Sequence, residues 1–180
     1  VDAKRKDNKY PFRELAGVGV VFKLIQAIST KLNLDDKEYL RFLDLVAIGT
    51  ISDIVPLVDE NRVIAKLGLK LVEVTKNVGL KALIKSAGYK TIDSNMVSFG
   101  IAPLVNASNR MNENKKAMDL FLSDDEKEIS RLVNDLKFCK ESQNFEIKEI
   151  MPMLEEQAES QLDKKVMFFF IDTEAEVAGL

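Results

Sequence analysis

Asp53 is the residue whose type and setting most suggest chemistry. It falls near the end of residues 43–57, Leu-Asp-Leu-Val-Ala-Ile-Gly-Thr-Ile-Ser-Asp-Ile-Val-Pro-Leu. Apolar residues at Leu43, Val46, Ala47, Ile51, Ile54 and Val55 keep the spacing of one wide helical face. Asp35 with Glu38 three residues on has the form of a capping box, and Pro56 is a stop. The pattern therefore predicts one helix with Asp53 in its last turn. A negative charge there opposes the helix dipole. Placed between Ile51 and Ile54, it needs a cation or several donors to stay ionised. The other reading is a surface aspartate at a fraying helix end, and the residues alone leave both open.

A second candidate is Arg110. Gly100, Pro103, Asn106, Asn109 and Asn112 make residues 100–112 polar and helix-poor, with Arg110 the one cation between Ile101 and Asn114. A guanidinium on such a loop suits bidentate phosphate contact. Pairing with a nearby carboxylate is the alternative. Residues 1–31 carry seven basic and three acidic side chains, and Lys4, Arg5, Lys6, Lys9 and Arg13 could face phosphates. A solvated terminal segment explains them as well. Ala16, Gly17 and Gly19 do not make a phosphate loop, because the spacing fits neither glycine-rich fingerprint and no strand precedes them.

The totals narrow the classes. The 180 residues suffice for one good core or one domain and part of another. A 46% hydrophobic and 31% charged composition is that of an ordinary globular protein, and no apolar run reaches membrane-spanning length. The single cysteine, Cys139, excludes an internal disulfide and fits a reducing cytosol. The absence of histidine excludes a Ser-His-Asp triad, a Cys-His pair and any histidine-containing zinc site within these residues. The net charge of −3 gives no whole-chain signal for nucleic acid.

The elements that must position the candidates read as helices. Phe12, Leu15, Val18, Phe22, Ile25 and Ile28 predict one over 12–32, whose small residues would approach the helix of Asp53 closely. Asp59 caps a helix over 60–76 with Val63, Ile64, Leu67, Leu71 and Val74 inward. Gly79 and Gly88 bracket a shorter one, and another covers 94–99. Nothing in 60–99 suggests chemistry. From Ser123, boxed with Glu126, a long helix runs to about Leu162, with Ile129, Leu132, Val133, Leu136, Cys139, Ile150 and Leu154 inward. It would span roughly 60 Å if continuous, kinked at Pro152. Twelve acidic and five basic residues lie in 123–163. Residues 166–172, Val-Met-Phe-Phe-Phe-Ile-Asp, read as a buried strand.

Three stretches together resemble the RecJ-type single-strand-specific exonucleases of the DHH phosphoesterase superfamily. They are YPFRELAGVGVVFKL at 10–24, LDLVAIGTISDIVPL at 43–57 and GIAPLVNASNRM at 100–111. The resemblance implies that Asp53 is a ligand of a catalytic manganese or magnesium ion. It places Arg110, with Asn106 beside it, on the nucleic-acid side of the cleft. It implies hydrolysis of single-stranded DNA from the 5′ end, in repair and recombination in the cytoplasm, with room for repair or replication proteins as partners. The family's Asp-x-Asp and Asp-His-His motifs would lie upstream of Val1. The expected fold is then a mainly α fragment of an α/β parent. Residues 1–122 would be the later part of the catalytic domain, 123–163 a connector helix, and 164–180 the start of a second domain. Four positions depart from the family. Leu104 stands for a usual arginine and Asn109 for a glycine, while Cys139 and Ser142 replace an asparagine–arginine pairing. These departures keep open a non-catalytic binding or scaffold subunit. A DHH-type oligonucleotide phosphodiesterase also remains open, although such enzymes usually lack the 10–24 stretch.

Overall fold

The structure, a computed structural model, describes residues 3–171. These form eight α-helices and one π-helical turn, with no strand among them. The chain divides into two compact units, residues 1–103 and 104–180.

In the first unit the chain enters as a loop. The Arg13 guanidinium donates to the carbonyl oxygens of Arg5, Lys6 and Asn8 at 3.2, 3.3 and 3.2 Å, which folds residues 5–13 back on themselves. The expected helix over 12–32 therefore starts later, as α1 (Gly17–Lys31), with extended Ala16 as its N-cap. Phe12 and Leu15 still pack on the core, but from the loop.

The single helix expected over 35–56 is two. Asp35 accepts from the Lys37 N–H at 2.9 Å, while the Glu38 side chain pairs with Arg41 at 3.6 Å instead of closing the capping box. A short α2 (Lys37–Leu40) results, followed by α3 (Leu43–Ser52). Leu43, Asp44, Val46, Ala47, Ile48, Thr50 and Ile51 are all buried, so α3 is covered nearly all round. Its carboxylate at Asp44 accepts from the Thr75 hydroxyl at 2.5 Å and the Leu45 N–H at 2.7 Å, which makes burial of the charge tolerable.

α3 packs against α1 and against α4 (Asp59–Glu73). The close approach of α1 expected from the sequence is present, but its cause is on the other helix. A Cβ on Gly49 of α3 would lie 2.7 Å from Val18 Cγ1, whereas one on Gly17 would meet nothing. Gly68 of α4 does the same for the other neighbour, since a Cβ there would run into Ala47 and the Leu43 carbonyl. The inward face of α4 is Asn61, Ile64, Ala65, Gly68 and Val72. Val63, Leu67 and Val74, expected inside, are exposed. The close packing at Gly68 fixes the rotation of α4 and turns those aliphatic residues outward.

α5 (Val78–Ala87) is capped by Asn77, whose side chain accepts from the Leu80 N–H at 2.7 Å, and stops at left-handed Gly88. Gly79, expected as a stop, lies inside its first turn. The expected helix over 94–99 continues as a π-helical turn, Met96–Ile101, straight into α6 (Ala102–Arg110). Pro103 can neither donate to the Phe99 carbonyl nor sit easily against it, and the wider π turn accommodates both.

In the second unit α7 (Asn114–Leu122) packs on α8 (Glu126–Glu159). The cap of α8 is Asp125, which accepts from the Lys127 and Glu128 N–H groups at 2.8 and 3.1 Å, while Ser123 donates to the Glu128 carboxylate. At 34 residues it measures roughly 51 Å. Ile129, Leu132, Val133, Leu136, Cys139 and Gln143 are buried; Ile150 and Leu154 are only half-buried.

Residues 166–171 form no strand, and Asp172, the last residue of that expected element, lies outside the described residues. A strand needs a paired backbone, and here glutamine amides supply the pairing. Gln161 exchanges two hydrogen bonds with the Phe168 backbone at 2.8 and 2.9 Å. Gln157 does the same with Phe170, both at 2.8 Å. The phenylalanines at 168 and 170 stay exposed.

Candidate functional site

Asp53 is the C-cap of α3 and lies just beyond its last turn. Its N–H still donates to the Gly49 carbonyl at 3.0 Å. The side chain is exposed, and it makes no hydrogen bond or ion pair among the described residues. The expectation that desolvation opposes its charge is therefore corrected. Only the helix end does so, because the chain turns outward at the next residue and leaves the carboxylate in water.

That turn is strained. Ile54 has φ +54° and is 90% exposed, an unusual conformation for a β-branched residue. Asp59, at the other end of the loop, has φ +46°. Each such residue costs on the order of 1–3 kcal/mol and persists only where its surroundings hold it. Here the surroundings are identifiable. Asn61, fully buried on the inner face of α4, donates its amide to the Glu14 carbonyl at 2.6 Å and to the Pro56 carbonyl at 3.0 Å. It ties the loop after Asp53 to the segment entering α1.

Beside it, Glu60 accepts from the Tyr10 hydroxyl at 2.6 Å and pairs with the Lys23 ammonium at 2.5 Å, joining the entry loop, α1 and α4. Burial pushes the Glu60 carboxyl up, but Lys23 and Tyr10 outweigh it and hold the group below its ordinary range. Burial likewise pulls Lys23 down, and Glu60 overrides it, so that the ammonium is held above its usual range. Burial and the Glu60 charge together raise Tyr10. Sequence reasoning missed both Asn61 and Glu60. The one signal for Asn61 was an asparagine at the spacing of Ile64, Ala65, Gly68 and Val72, a polar residue on an apolar stripe.

Asn106 and Arg110, four residues apart, share one face of α6, and both are exposed. The stretch expected to be helix-poor is helical. Burial of Ile101, Ala102, Ala107 and Ser108 overrides the weak propensities of glycine, proline and asparagine. Arg110 ends the helix and makes no ion pair among the described residues, so the alternative of a carboxylate partner has no counterpart there. Of the positions expected to differ from the RecJ pattern, Leu104 is half-buried and Cys139 buried. Burial pushes the Cys139 thiol up, which leaves it a packing residue. The N-terminal cations are mostly engaged. Lys4 pairs with Glu14 at 3.6 Å, Arg5 with Asp7 at 2.6 Å, and Arg13 holds its three carbonyls. Lys6 and Lys9 make no ion pair among the described residues.

Asp53 belongs to the first unit, and Asn106 and Arg110 to the second. No group of three or more acidic, cysteine or histidine residues able to hold a metal occurs among the described residues. Asp53 offers a single carboxylate, a hard, unpartnered oxygen donor of the kind manganese and magnesium take. It fits as one ligand of such an ion. No helix among the described residues is long and apolar enough to cross a membrane.

In an alignment of 163 positions that covers 87% of its length, the chain is 42% identical to the single-stranded-DNA-specific exonuclease RecJ of Bacillus subtilis. This chain is homologous to part of the RecJ exonucleases. It spans 20% of that relative. The fold agrees. RecJ of Thermus thermophilus in complex with Mn2+ superposes with a TM-score of 0.76 at 35% identity, over 85% of this chain and 23% of that one. Its Mg2+ complex superposes at 0.73, also at 35% identity, over 83% and 23%. No protein-family model matches the chain. The RecJ homology thus covers most of the sequence and about a fifth of the relatives.

Proposed function

We propose that this chain is the later part of the catalytic domain of a RecJ-type exonuclease that hydrolyses single-stranded DNA from its 5′ end, in repair and recombination. Residues 1–122 would complete that domain, 123–163 connect it onward, and 164–180 open a second domain. The observation that carries the reading is the free carboxylate of Asp53 on an anchored turn, in a chain 35% identical to a RecJ solved with Mn2+.

Asp53 would hold one coordination position of a manganese or magnesium ion. Such an ion, when bound, supplies Lewis-acid stabilisation of phosphate charge and an activated water. The remaining work falls to side chains. The anchored turn would fix the backbone from which the Asp53 carboxylate reaches the ion, which limits the reorganisation needed when charge develops on the phosphate. Arg110 would grip a backbone phosphate as a bidentate donor, with Asn106 adding a neutral donor on the same helical face. Single-stranded DNA is the substrate on this reading, the cytoplasm the compartment, and repair or replication proteins the partners.

A scaffold role is the second reading, favoured by Leu104 and Ser142, two positions without a cation where RecJ proteins usually have an arginine. Upstream sequence with intact Asp-x-Asp and Asp-His-His motifs supports the enzyme, and their loss supports the scaffold. The functional test is Mn2+-dependent release of nucleotides from 5′-labelled single-stranded DNA by the intact protein. EDTA-sensitive degradation is expected, and its absence with intact motifs contradicts the proposal. The isolated 180-residue chain, with one carboxylate for a multi-ligand site, is expected to bind Mn2+ weakly and to leave DNA intact.

A further inference from the structure

We propose that Asn61 is a positioning residue that fixes the turn carrying Asp53 and so sets metal affinity; this rests on the reading of Asp53 as a ligand. The geometry behind it lies in the loop between α3 and α4. The last hydrogen bond of the α3 end is Ile54 N–H to the Ile51 carbonyl, and the first of α4 is Arg62 N–H to the Val58 carbonyl. Between them, the backbone of residues 55–57 makes one hydrogen bond among the described residues, from Asn61 to the Pro56 carbonyl.

Both ends of this loop sit at positive φ on residues other than glycine, Ile54 and Asp59. A strained segment tied at one point takes its conformation from that tie. The tie is itself rigid. Asn61 is fully buried, and its amide nitrogen lies between two carbonyl oxygens, Glu14 and Pro56, where the amide oxygen would be repelled. The amide oxygen is buried without a partner. Asn61 thus gives up one of its hydrogen bonds to make these two, which is the pattern of a side chain kept for what it holds.

Residues that orient ligands from behind typically change metal affinity by roughly 10- to 100-fold when altered. Asn61→Asp keeps the shape and replaces the donor with an acceptor. In the intact protein, electron paramagnetic resonance titration of Mn2+ should show affinity weakened about tenfold or more. Hydrogen exchange at the Ile54 and Arg62 amides, the hydrogen-bonded N–H groups that flank the loop, should quicken in parallel. Should Asn61→Asp not fold, Asn61→Ser, smaller and still a donor, carries the test with a smaller shift in the same direction. Val72→Ala, which opens the buried face of the same helix, is the structural control and should lower the melting temperature without moving Mn2+ affinity. Unchanged affinity in the Asn61 variants, beside lost Mn2+ binding in Asp53→Asn, overturns the clamp and leaves Asp53 as ligand. Full Mn2+ binding and hydrolysis in Asp53→Asn overturns the ligand reading, and this proposal with it.

Discussion

Asp53 and Arg110 are both charged, both exposed and both without a partner among the described residues, yet the chain treats them in opposite ways. Asp53 follows directly on a helix buried nearly all round, on a turn strained at Ile54 and tied down by Asn61. Arg110 ends α6 on a long, flexible side chain, and the turn after it is closed by local backbone bonds such as Glu113 N–H to the Ser108 carbonyl at 2.7 Å. The difference matches what the proposed roles need. A metal ligand must keep its oxygen within a few tenths of an ångström, so backbone order is placed behind it. A phosphate contact needs reach and charge more than fixed geometry, since each contact adds to affinity largely through counterion release.

The largest expected effect is at Asp53. In the intact protein, Asp53→Asn should lower Mn2+-dependent turnover at least about a hundredfold. In the 180-residue chain, thermal melting should show stability unchanged or raised by at most about 1 kcal/mol, the helix-end repulsion being all that is relieved. Next comes Asn61→Ala, which strands two carbonyls and should cost about 2–3 kcal/mol in urea unfolding. A loss below about 0.5 kcal/mol would erase the contrast between an anchored and an unanchored charge.

Glu60→Gln should cost about 1 kcal/mol at neutral pH. Because the folded carboxyl titrates below its ordinary range, its contribution is present above the unfolded value and disappears as pH falls through the folded one. Wild type and variant should therefore converge in acid, as pH-dependent melting would show. The raised Lys23 adds the mirror image, stability lost as pH rises through its folded value. The smallest effect on stability is expected for Arg110→Ala, within about 0.5 kcal/mol. Its signature is weaker single-stranded DNA binding with a salt slope reduced by about 0.7, one phosphate contact on a single strand. A steep drop in melting temperature with DNA affinity intact would make Arg110 a structural residue and break the comparison.

Much of the helical order was legible, because periodicity reports burial directly. Ile129, Leu132, Val133, Leu136 and Cys139 line the inner face of α8 as their spacing predicts. What escaped was set by tertiary contact. The α4 stripe was read through its aliphatic residues, but the true inner face runs through Asn61 and Gly68, and neither looks like core in isolation. Close approach at Gly68 and the buried clamp at Asn61 are properties of a helix pair, which no single-helix pattern encodes. The 100–112 stretch was misread because glycine, proline and asparagine are weak helix formers, while burial of Ile101 and Ala107 decides the matter. The apolar run at 166–171 has the composition of a strand but no paired backbone beyond the amides of Gln157 and Gln161. At the candidate site, residue type singled out Asp53 and Arg110. The anchoring of one and the freedom of the other required coordinates.

Whether Asp53 ligates a divalent ion can be read from anomalous diffraction at the manganese edge, using crystals of the intact protein grown with Mn2+. A peak is expected about 2.1 Å from an Asp53 carboxylate oxygen, the distance of a small hard cation to oxygen. A well-occupied manganese peak elsewhere, with the Asp53 carboxylate free in solvent, would contradict it.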